Sequence, residues 1–290
     1  MTMSPKEYLD RYGKIVFRHP LNGSQVQTRL TGYGSGWGPE KGCNRKTIGP
    51  KAQNERAALA RAILRHLSPD KKIKSLPKFF RFNERPLGEI PDTEWFYPIS
   101  LINVFVGKGS PDEITDTLRL AIGLNRIGQG RDVAGQPVGA STVEEYMERY
   151  MTLDCNGLVG NYYGLNKIAN ISIQNYAVPS RARKKITDVK QGDCIITHYT
   201  GGPYHHIALV EKWDIKSKSG KDDGGTALVE IVEWGEAGGE DKHYSSGSVE
   251  VKRGKEASWG VSFEGKSGKS RYIFSPPPSF KAHNGWADME

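Results

Sequence analysis

The chain has 290 residues, 37% apolar and 26% charged, the composition of a globular protein long enough to bury a sizeable core. It carries a formal net charge of +8, which favours polyanions such as nucleic acid, anionic lipid or an anionic cell wall. No run of about 18 apolar residues occurs, so no membrane-spanning helix is expected.

The opening segment, MTMSPKEYLDRYGK, lacks the apolar stretch of a secretory signal. The chain is therefore expected to be made in the cytoplasm and to leave, if it leaves, by a route that reads no such signal. Residues 4–12 predict a short helix with Ser4 as N-cap and Pro5 in its first turn. Residues 30–50 are rich in Gly and aromatics and read as a loop. From Ala52 to Leu67, the apolar residues Ala58, Leu59, Ala62, Ile63 and Leu67 recur at helical spacing. A Pro-punctuated connection from Pro77 to Pro98 follows, and then ISLINVFV (99–106) reads as a buried strand.

Residues 111–124 predict a helix with Ser110 as N-cap and Pro111 in the first turn. A loop over 128–141 leads to a helix capped by Ser141 or Thr142, with Glu144 and Glu145 in its first turn, ending near Tyr150. From Cys155 to about Leu165 the apolar positions fit a buried helix. The cluster Arg181, Arg183, Lys184 and Lys185 reads as a solvated loop. Beyond it the pattern changes. CIITHYT (194–200), HIALVEKWD (206–214), ALVEIVEW (227–234), SWGVSFEG (258–265) and RYIFS (271–275) are rich in β-branched and aromatic residues. Helices first and strands afterwards give an α+β chain with an antiparallel sheet.

Three cysteines, Cys43, Cys155 and Cys194, form no CxxC pair. Neither a disulfide framework nor a zinc ribbon is indicated, although a Cys43–Cys194 pair stays open. A thiolate nucleophile needs something to hold it deprotonated, either a helix N-terminus or a nearby imidazole. Cys155 opens a predicted helix with Gly157 one turn in. His206 opens the strand HIALV, where Ala208 and Val210 share its face. An imidazole base needs a partner to fix its tautomer, and Glu233 lies on one face of the next strand with Val229 and Ile231. A carboxylate ending an apolar face is costly unless paired.

These residues carry a family resemblance. Asp154-Cys155-Asn156-Gly157-Leu158-Val159 resembles the nucleophile motif of the NlpC-type cell-wall cysteine peptidases. Gly192-Asp193-Cys194-Ile195-Ile196 resembles their Gly-Asp strand opening, and His206-Ile207-Ala208-Leu209-Val210 the strand that begins with their histidine. Val232-Glu233 and the polar turn after it are similar to the acidic third position of the CHAP amidases. The order Cys, His, acid is that of the superfamily, over roughly residues 111–235. Asn156 stands where a small hydroxyl residue is usual, and no aromatic-Gly-Gly segment precedes Cys155. The resemblance implies a papain-like (NlpC/CHAP-type) fold over residues 101–276, with helices packed on an antiparallel sheet. Residues 1–100 would be an N-terminal extension or accessory region, and 277–290 an irregular tail.

It further implies a cysteine amidase or endopeptidase acting on bacterial peptidoglycan peptides. The catalytic residues would be Cys155, His206 and Glu233, and the Cys155 backbone N–H would join the oxyanion hole. No cofactor, metal or nucleic acid is expected. Delivery by a contact-dependent secretion machine with a cognate immunity protein, as for type VI effectors, or by phage lysis, is consistent with action in the periplasm or cell wall. Two alternatives stay open: a cysteine protease or acyl-transferring toxin acting on a cytosolic protein, and a basic non-enzymatic binding module. Among the other candidates, His205 points away from His206, and Asp154 reads as a helix-capping group. Cys194 reads as a buried thiol and His198 as structural or substrate-side. His243 and His283 lie in loops, and a zinc site of His198, His205 and His206 lacks a fourth ligand at familiar spacing.

Overall fold

The structure, a computed structural model, describes residues 3–33, 52, 54–59, 81–82, 85–86, 103–128, 130–131, 135, 137–165, 173–198, 204–220, 224–235, 243–253, 260–265 and 269–278. Its architecture is mixed α+β. The chain divides into two compact units, one of Met1–Asp10, Cys155–Asn166 and Asn170–Glu290, the other of Arg11–Asp154 and Lys167–Ala169. Among the described residues the units change over at 10/11 and 154/155, and the boundary near residue 100 expected from the sequence lies outside the described residues.

Helix α1 (Pro5–Gly13) starts where Ser4 and Glu7 cap each other: the Glu7 amide donates to Ser4 Oγ, and the Ser4 amide to the Glu7 carboxylate. In the second unit, β1 (Ile15–Arg18) and β2 (Gln25–Thr28) form a hairpin, and β3 (Arg81–Phe82) pairs with β4 (Arg85–Pro86). Residues 52 and 54–59 are helical. Helix α2 (Pro111–Gly123) has the capping box of Ser110 and Glu113 and Pro in its first turn, as its sequence predicts. Helix α3 (Val143–Tyr150) is capped by Thr142, whose hydroxyl accepts the Glu145 amide. A buried network ties this unit together: Arg126 grips the Glu55 carboxylate through two nitrogens, at 2.9 and 2.5 Å, and the Tyr146 hydroxyl donates to the same carboxylate at 3.0 Å.

The run ISLINVFV is not a strand where it is described. Residues 103–105 are helical, and the amides of Val106 and Lys108 both donate to the Asn103 carbonyl. Gly107, at φ +78, ends the turn. A largely apolar run is compatible with either buried element.

In the first unit, helix α4 (Cys155–Tyr162) is buried at every residue. It packs against β6 (Tyr204–Ser219), the longest strand. Six antiparallel strands close into a barrel in the order β10-β5-β6-β7-β8-β9, where β5 is Cys194–His198, β7 Gly224–Val232, β8 Tyr244–Arg253, β9 Val261–Glu264 and β10 Ser270–Phe274. One apolar cluster draws on all six, among them Ile195, Ala208, Val229, Val251, Phe263 and Ile273. Burying each aliphatic side chain of this kind stabilises the fold by about 1.5–3 kcal/mol. The alternate residues Cys194, Ile196, Ile207 and Leu209 are also fully buried. Both faces are therefore covered over 194–196 of β5 and 207–210 of β6, and these stretches read as continuous apolar runs.

The entry to β5 is held by charge. Asp193, fully buried, takes two hydrogen bonds from the Arg183 guanidinium, at 2.8 and 2.6 Å, and one from the Lys190 amide at 2.8 Å. Arg181 donates to the carbonyls of Asn175 and Tyr176. Two members of the expected solvated cluster therefore brace the fold. The Tyr163 hydroxyl closes the same corner on the Gly192 carbonyl at 2.6 Å.

Candidate active site

Cys155 is the first residue of α4 and is buried. The first amides of a helix have no partner within it, so a sulfur here sits at the positive end of the dipole. His206 lies on β6 directly opposite Thr197 of β5. Glu233 directly follows β7, and its amide donates to the His243 carbonyl at 2.8 Å, which extends the pairing with β8 by one step.

The three residues singled out in the sequence come together within the first unit. His206 Nε2 lies 2.8 Å from Glu233 Oε2, and the His206 ring hydrogen-bonds the Cys155 side chain. The imidazole is thus held between a thiol and a carboxylate. Side chains of His206 and Glu233 are 16% and 19% exposed, so solvent screens their interaction only in part.

The electrostatics follow from this packing. Burial lowers the proton affinity of His206, but the charges and hydrogen bonds of Cys155 and Glu233 outweigh it and push its pKa up to about 10. Burial pushes the Glu233 carboxyl up, while the hydrogen bond from His206 and the charges of His206, Arg271 and His243 win and hold it below the ordinary carboxylate value. An arrangement of this kind can move a proton from sulfur to nitrogen and retain it there.

One neighbour, Arg271, escaped the sequence reading, and a second, His243, was expected only as a loop residue. Arg271, on β10, places Nη2 3.7 Å from Glu233 Oε2. His243 stacks flat on Trp234, with ring centroids 4.0 Å apart. Its Nδ1 is buried without a hydrogen-bond partner among the described residues, and burial lowers its pKa. Arg271 carries the same signal that marked Glu233: a charge on an otherwise apolar strand, two residues from the core residue Ile273.

The remaining candidates are dispersed. His205 is exposed. His198 lies against the rings of Tyr204 and Tyr272, at 5.4 and 6.4 Å. The Asp154 carboxylate takes the Lys108 ammonium at 2.6 Å. Cys194 is a free, fully buried thiol whose pKa burial pushes up to about 12. Its proposed partner Cys43, and His283, lie outside the described residues. Among the described residues, no three His, Cys, Asp or Glu side chains group as metal ligands, and no helix is long and apolar enough to cross a membrane.

Comparison with protein-family models, curated proteins and solved structures gives no match.

Proposed function

We propose that the chain is a papain-like cysteine amidase or endopeptidase acting on amide bonds of bacterial peptidoglycan peptides. The observation that carries this reading is the contact of His206 with Cys155 on one side and Glu233 on the other. In the proposed reaction the Cys155 thiolate attacks the amide carbonyl carbon. The C–N bond breaks as the amine takes a proton from His206, leaving a thioester on Cys155. Water, activated by the neutral imidazole, then hydrolyses the thioester and restores the thiol. Glu233 fixes the tautomer and orientation of the ring, and the resemblance assigns the Cys155 backbone N–H to the oxyanion hole.

The choice of peptidoglycan rests on the motif resemblance around Cys155 and His206 and on the net charge of +8, which suits an anionic wall. The proposal carries with it action in the periplasm or cell wall and, where delivery is by a contact-dependent secretion machine, a cognate immunity protein. Digestion of purified sacculi, with fragments identified by mass, tests it. Wild type should release peptide fragments with new amino termini or free lactyl groups, and Cys155→Ala should release none. Equal release by both proteins would remove Cys155 as nucleophile. Intact sacculi alongside cleavage of a protein substrate would keep the chemistry and replace the substrate.

A further inference from the structure

Arg271, His206 and Thr197 occupy one row across three adjacent strands. Arg271 of β10 is directly opposite Thr197 of β5, and Thr197 is directly opposite His206 of β6. Opposed residues in an antiparallel ladder project from the same face. Two strand spacings, about 10 Å, therefore separate the backbones of Arg271 and His206. Between them stands Thr197, a short buried side chain. Glu233 spans that interval, with the same oxygen 2.8 Å from His206 Nε2 and 3.7 Å from Arg271 Nη2.

The guanidinium is confined to this place. Its side chain is 19% exposed. Gly265 runs beside it so closely that a Cβ there would come within 2.8 Å of Arg271 Nε. Among the described residues, Glu233 is its one carboxylate partner. An arginine held half out of water against a carboxylate that itself grips an imidazole is more than a solvated charge.

We propose that Arg271 is a positioning residue of the candidate site: it keeps Glu233 charged and turned toward His206, and so acts on Cys155 through two intervening side chains. The site then reads as a row of alternating charge, thiolate, imidazolium, carboxylate and guanidinium. The titratable and charged groups that face this row are Cys155 from α4, His206 from β6, Arg271 from β10 and His243 from the segment leading into β8. Without Arg271, Glu233 takes up a proton at higher pH, and His206 loses its partner while the solution is still only mildly acidic. The 3.7 Å gap is longer than a hydrogen bond, so charge rather than a donated proton carries the effect.

The inference rests on the Cys155–His206 reading, and the test separates the two. The rate of Cys155 alkylation by iodoacetamide is followed against pH in the full-length protein with Cys43 replaced by serine. Arg271→Met should move the acidic limb of the profile upward by about one pH unit, the size expected when an opposite charge at this distance is removed. Arg271→Lys, which keeps the charge without the planar fork, should restore most of the shift. Arg271→Gln is read in the same way, so that a methionine variant that fails to fold leaves the test intact. An acidic limb unchanged in the neutral variants, or displaced as far in Arg271→Lys as in Arg271→Met, overturns the role of Arg271. A wild-type profile that rises only at the pKa of an ordinary free thiol overturns the underlying pair instead.

Discussion

Replacing Glu233 by glutamine removes a charge and keeps the shape, so its consequence can be worked from the geometry. In the folded protein His206 is held at a pKa of about 10 against an ordinary 6.5. Its proton is therefore retained below that value and lost as pH rises through it. Glu233 supplies part of this gain, through a 2.8 Å contact between side chains 16% and 19% exposed. Loss of one such partner corresponds to about 2 kcal/mol, or roughly thirtyfold in the population of protonated imidazole beside the thiolate. The pH at which the His206 ring loses its proton should then fall by about 1.5 units. The direction is opposite to that of removing a cation, so general loosening of the site is not mistaken for it. The assay is the proton NMR shift of the His206 Cε1–H, assigned by comparison with His206→Asn and followed from about pH 5 to about pH 11, a range that spans the ordinary imidazole and thiol values. A ring that titrates at the same pH in Glu233→Gln and wild type would refute the claim that the carboxylate holds the proton.

Three further outcomes follow from the packing. Cys194, fully buried and with its pKa pushed up to about 12, should resist thiol reagents at pH 8 in the folded protein and react only after unfolding; in a Cys43→Ser background, loss of a second thiol without denaturant would contradict this. Asp193→Ala removes three hydrogen bonds to a buried carboxylate while Arg183, 21% exposed, can still reach water, so it should cost about 1.5–3 kcal/mol, the range for hydrogen bonds to a charged group; a urea midpoint close to wild type would show the pair to be dispensable. Burial pushes the Glu113 carboxyl up to about 7, more than its hydrogen bonds lower it. The folded state therefore binds a proton there that the unfolded chain releases near its ordinary value, and this contribution is present at low pH and lost as pH rises through 7. Glu113→Gln should gain stability relative to wild type between pH 5 and pH 8; a difference that stays constant across that range would exclude this titration.

The parts of the fold legible in the sequence are those where local chemistry and burial agree. Ser4, Ser110 and Thr142 cap the helices they announce, because a hydroxyl before an acidic first turn has few other uses. The strands carrying Ile195, Ala208 and Val229 are apolar enough to stand out. Strand β8, YSSGSVEVKR, was not legible. Its serines and glycine carry no apolar alternation, and only Val251 is buried in the shared core. The pairing of β8 with β7 holds it in place, a tertiary effect that propensity does not encode. In the site, Cys155, His206 and Glu233 were readable because motif order and strand faces point the same way. For Arg271 the charge on an apolar strand was visible but its link to Glu233 was not, because that link depends on β10 lying beside β5, and strand order in a barrel is invisible along the chain.

The barrel closes, but not along the full length of its strands: among the described residues β5 pairs with β6 only as far as Leu209, and β9 with β8 only over 251–253. Residues 212–219 of β6 therefore have a neighbouring strand on the β7 side alone. An edge left in this way is the kind on which an extended chain adds itself as a further strand through its backbone.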